Sequence, residues 1–141
     1  MMLADTKIVF PEDTNIKFPE SIMFYPAIGF FVEILFHVLP LTLSVIIMKV
    51  ILKNQSLDNI IWISIFIVAI IEPVYQSMHM ANSGRFALWA VIFVGMHIFL
   101  INTFQLALFK KYDFISMYTF RLVYYLFWHI VWGHFRLQLL F

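Results

Sequence analysis

Residues 29–41 read GFFVEILFHVLPL. The stretch is apolar enough to sit in a bilayer, yet Glu33 and His37 stand in its middle. Residues four apart share one face of a helix. A carboxylate and an imidazole on one face of an apolar helix need partners at the same depth, because lipid satisfies neither.

The rest of the chain sets that stretch in context. Of 141 residues, 63% are hydrophobic and 12% charged, and the mean hydropathy is +0.92. Soluble domains are about half apolar and about a quarter charged. A soluble core of this size has no room for so much apolar surface, so the composition marks an integral membrane protein with the bilayer as its first partner. A net charge of +1 offers nothing to nucleic acid. The absence of cysteine removes disulfides, thiolate metal sites and thiol nucleophiles.

Four apolar segments follow one another, over about residues 22–50, 58–80, 84–109 and 113–141. Each reaches the roughly 20 residues needed to span hydrocarbon as a helix. Only helices satisfy the backbone of so few segments in lipid. The connections ILKNQSL, ANS and KKY are short, so sequential helices are antiparallel neighbours. The expected fold is all-α: an integral membrane four-helix bundle over residues 21–141, preceded by a surface segment over 1–20 that carries mixed charge and two prolines. That segment holds no apolar run of signal-peptide length. Asp58 is expected to cap the second helix and Asp113 to start the fourth. With only four glycines, close small-residue packing of the GxxxG kind is not the expected way for these helices to meet. Lys49, Lys53, Lys110 and Lys111 flank the first and third connections, which places both on the cytoplasmic side by the positive-inside rule. Arg85 alone marks the second.

Ionisable residues within the spans are candidate functional groups. If the helix ends are level, a rise of 1.5 Å per residue puts Glu33 ~25 Å, His37 ~20 Å, Glu72 ~21 Å, His97 ~18 Å and His129 ~24 Å from the lysine-flanked end. The primary candidates are Glu33, His37, Glu72 and His129, with His97, Gln76, Arg121 and Tyr125 as secondary ones. Ser64, Glu72, Gln76 and His79 form one stripe; Arg121, Tyr125, His129 and Arg136 form another. On the third helix, His97 and Gln105 share a face and Asn102 points elsewhere. Pro73 follows Glu72 and frees a backbone carbonyl beside it; Pro40 stands similarly after His37. His79 and His134 read as interfacial, and Arg85 and Arg136 as snorkelling anchors.

VEILFH, residues 32–37, resembles the EExxxR signature of the CPBP intramembrane proteases, the CAAX-processing and bacteriocin-processing group. Glu33 takes the place of the second glutamate, while Val32 and His37 stand where the first glutamate and the arginine would be. FQLALFKKYDFISMYTFRLVYYLFWHIVWG, residues 104–133, is similar to the family's closing helix–turn–helix with HxxxN. His129 matches its histidine, and Gly133 stands for the asparagine. FVGMH fits the letters of the middle FxxxH motif through Phe93 and His97, and Glu72 lies where that motif is expected in the chain. The resemblance implies a degenerate catalytic core hydrolysing a membrane-embedded or prenylated peptide without a cofactor. Glu33 would be the general base, and His129 or His97 the oxyanion donor.

The same residues permit other classes. Glu33, His37, Glu72 and His129 are nitrogen and oxygen donors suited to a transition metal, and paired histidines suit haem. Polar seams also suit a structural accessory subunit that docks on other membrane subunits, with interhelical bonds of about 0.6 kcal/mol each.

Overall fold

The computed structural model describes residue 16, residues 19–132 and residue 135. Residues 1–15, 17 and 18 of the surface segment expected over 1–20, and the roles expected of Gly133, His134 and Arg136, lie outside the described residues. Four helices run in sequence, and no strand occurs among the described residues. Helix α1 covers Ser21–Ile51, α2 Leu57–Ser83 and α3 Leu88–Lys111. Helix α4 covers Phe114–Tyr125 and continues through a π-helical segment, Leu126–Val131. The first three are long and apolar enough to cross a membrane; the described part of α4 is not among them. The fold is the all-α bundle expected, with α1 against α2 and α4, and α3 against α2 and α4.

Local signals explain where the helices begin and end. Ser56, not Asp58, caps α2, its hydroxyl accepting from the Asn59 N–H at 3.3 Å. Asp58 sits in the first turn, where its charge suits the helix N-terminus, and pairs with Lys110 at 2.6 Å. Gly84 closes α2 at φ 66°, a left-handed position that glycine fills without strain. Asp113 caps α4 as expected, accepting from the Ser116 N–H at 2.7 Å.

Helix α1 is not regular. Residues Glu33–Val38 form a π-helical segment between two α-helical parts. Pro40 lies just beyond and has no N–H for the carbonyl four residues back. Widened turns of this kind occur often at functional sites, and this one carries both Glu33 and His37.

Two of the four glycines stand at helix crossings, as single residues and not as a GxxxG pair. A Cβ on Gly29 would lie 3.0 Å from the Tyr125 ring, and one on Gly95 would lie 2.5 Å from the Ser77 hydroxyl. Gly29 therefore lets α1 close on α4, and Gly95 lets α3 close on α2. The apolar core lies toward the lysine-bearing end and joins Leu41, Ile65, Val68, Ala69, Leu106 and Met117.

Candidate functional site

Above that core the bundle centre turns polar. Glu33, His37 and Gln105 are 0% exposed, Arg121 3% and Glu72 6%. All four helices contribute. The Glu33 Oε1 accepts from Gln105 Nε2 and from Arg121 Nε. Its Oε2 lies 3.1 Å from His37 Nδ1. The other ring nitrogen, Nε2, lies 3.7 Å from Glu72 Oε2. Arg121 Nη2 reaches the same Glu72 oxygen at 3.5 Å, and Nη1 donates to the Tyr125 hydroxyl at 3.1 Å. Gln76 donates to Glu72 Oε1 at 3.0 Å.

The charges are arranged to offset one another. Arg121 stands between two carboxylates, its planar fork suited to several acceptors at once. His37 stands between the same two carboxylates on its opposite edges. With both ring protons present, two cations face two anions. With one, a single negative charge is left over. Such an arrangement is needed where an unpaired ion is costly.

Pro73 has a defined consequence. It offers no N–H to the carbonyl of Ala69, four residues earlier. The Asn102 side-chain amide reaches that carbonyl at 3.5 Å, while its Oδ1 lies 3.5 Å from Arg121 Nη2. Asn102 is 0% exposed. It therefore joins the centre, and the expectation that it points elsewhere was wrong. Asn102 and Gln105 are three residues apart on a helix and share its inner face. That spacing was the available signal for both.

The structure brings Glu33, His37 and Glu72 together, with Gln76, Arg121 and Tyr125 around them. It does not bring His129 or His97 to them. His129 stacks on Tyr25 at 4.7 Å between ring centroids and meets Tyr125 edge-on at 5.1 Å. His97 shares a hydrogen bond of 3.0 Å with the Tyr124 hydroxyl and stacks on Trp128 at 4.7 Å. Both belong to an aromatic layer toward the Ser21 end. Level helix ends were the wrong frame. The residues on α3 and α4 that reach the centre, Gln105 and Arg121, each lie eight residues from the histidine expected there, about 12 Å along the axis. The stripe on α2 holds for Ser64 and Glu72, which are buried, while His79 is exposed.

As a metal site the donor set fits poorly. Among the described residues, no three His, Asp or Glu side chains converge to hold an ion. Arg121 occupies the space between the carboxylates, and His129 is bound up with tyrosines.

The three apolar spans and the polar centre define a multi-pass membrane protein. Comparison with protein-family models, curated proteins and solved structures returns no match.

Proposed function

We propose that this chain is a non-hydrolytic membrane scaffold, an accessory subunit whose buried ion network fixes the arrangement of four helices for a neighbouring membrane protein. The observation that carries this reading is the state of Glu33. One oxygen accepts from Gln105 and Arg121, the other faces His37, and the side chain has no exposure. A general base must reach the water it activates, directly or through one further water. Glu33 has no such access and acts as an anion that ties α1 to α3 and α4. The CPBP-like letters agree with this division of labour: the first glutamate of that signature is Val32 here, and the retained Glu33 is the one engaged in ion pairs.

One observation favours a second reading. Glu72 is the polar group at the edge of the network, slightly exposed, held by Gln76 and facing His37. In a hydrolytic centre it would activate water, with His37 carrying the proton, and the peptide would enter at that edge. The lysine-bearing connections face the cytoplasm in both readings.

The deciding experiment incubates the purified protein, in detergent and in vesicles, with membrane-embedded and prenylated peptides. The scaffold reading expects no cleavage from the wild type. It also expects Glu33→Gln to lower thermal stability and to weaken co-purification of a native membrane partner. Cleavage that Glu72→Gln abolishes, with the fold intact, would overturn it in favour of hydrolysis.

A further inference from the structure

The lysine-bearing end holds a feature that neither reading uses. Where α1 ends and α2 begins, an open groove of about 350 Å³ is lined by Leu52, Gln55, Asn59, Trp62, Ile63 and Phe66. Its wall is apolar and rests on the outer face of α2. Trp62 is 37% exposed and Phe66 50%, so neither is spent on the protein's own core. Its mouth is polar: Asn59 Nδ2 donates to Gln55 Oε1 at 3.2 Å, which leaves the Gln55 amide nitrogen without a protein partner among the described residues. The groove runs from the helix ends onto the exposed outer face of α2.

The charge around the mouth is one-sided. Four lysines (Lys49, Lys53, Lys110 and Lys111) meet two aspartates at this end. Both aspartates are already engaged. Asp58 pairs with Lys110, which also lies 5.0 Å above the Trp62 ring. Asp113 accepts from the backbone of its own helix. Lys49 and Lys53 are exposed and have no acidic partner among the described residues. Lys53 follows the lining residue Leu52, and Lys49 stands one turn earlier on α1.

We infer that this groove binds one anionic phospholipid. An acyl chain lies along Trp62, Ile63 and Phe66, and the phosphate sits at the Gln55–Asn59 mouth within reach of Lys49 and Lys53. Apolar wall, amphipathic tryptophan, amide donor and unpaired lysines follow one another in the order of a lipid's own parts. Tryptophan and lysine at a span's end are the usual residues of the headgroup zone, and basic residues there attract anionic lipid. The site is independent of the ion network and of the function proposed for it.

Native mass spectrometry of the purified protein tests it, with equimolar phosphatidylglycerol and phosphatidylcholine of the same acyl chains. The wild type is expected to retain one phosphatidylglycerol in preference to phosphatidylcholine. Each of Lys49→Gln and Lys53→Gln is expected to reduce that preference about five-fold, the effect of one basic residue near an anionic surface. Trp62→Ala with Phe66→Ala is expected to abolish the one-lipid species; both side chains are exposed, so the bundle should stay folded, as far-ultraviolet circular dichroism will report. Equal retention of the two lipids by the wild type overturns the proposal. So does a phosphatidylglycerol preference that survives the lysine variants, or a one-lipid species that survives the double aromatic variant.

Discussion

Leu41, Ile65, Val68, Ala69, Leu106 and Met117 fill one level of the bundle with apolar side chains. The adjacent level holds Glu33, His37, Glu72, Gln105 and Arg121. The same helices supply both, at similar burial. The apolar level is held by dispersion and shape, which are non-directional and tolerate small adjustments. The polar level is held by directional bonds in a medium that cannot replace them. The first level brings helices together. The second fixes which atoms face which, and so sets rotation and register.

Substitutions can break or sharpen that comparison. The largest expected effect is Arg121→Met. It leaves Glu33 and Glu72 without their shared cation and is expected to cost about 3–5 kcal/mol of stability in detergent, the usual penalty for stripping one partner from a buried ion pair. Thermal unfolding measures it. Combining it with Glu33→Leu and Glu72→Leu should restore most of the loss, because an apolar centre no longer holds an unpaired charge. If the triple variant is as unstable as Arg121→Met alone, the cost lies in packing and the ion-pair account is wrong.

Leu106→Ala tests the apolar level. Its side chain is 0% exposed, and truncation is expected to cost about 2–5 kcal/mol, depending on how far the cavity collapses. In a membrane the alternative environment is also apolar, so the lower part of that range is expected. A loss greater than that of Arg121→Met would reverse the ranking of the two levels.

Asn102→Ala should cost about 1–3 kcal/mol, the penalty for a buried polar group left without a partner. It orphans the Ala69 carbonyl that Pro73 frees. Pairing it with Pro73→Ala, which restores an N–H to that carbonyl, should recover part of the loss. Additive effects in this double-mutant cycle would mean that the two residues act separately.

The smallest effect is at the lysine-bearing end. Hydrogen bonding from the backbone of Ser116 holds the Asp113 carboxyl below its usual range. A carboxylate with a lowered value in the folded state stabilises above its unfolded value. That contribution is lost as pH falls through the lowered one. Asp113→Asn should therefore flatten the acid limb of the stability curve while leaving neutral-pH stability nearly unchanged, since asparagine also caps well. An acid limb identical to the wild type's would remove Asp113 from the account.

Much of this was legible in the chain. Helix number, helix order and the membrane environment followed from apolar runs of spanning length and short polar connections, because bilayer thickness leaves few alternatives. Glu33 and His37 were legible as a pair because four-residue spacing is a local property of a helix, and Glu72 was legible because an isolated carboxylate in an apolar span needs a partner. Spacing could also have placed Asn102 beside Gln105. Tertiary structure decided the rest. The stagger of α3 and α4 is set by how side chains interlock at Gly29, Gly95 and the apolar core, and by how far the long Arg121 side chain reaches. No single helix encodes that sum. It put Arg121 and Gln105 at the centre and left His97 and His129 among tyrosines and tryptophan about two turns away.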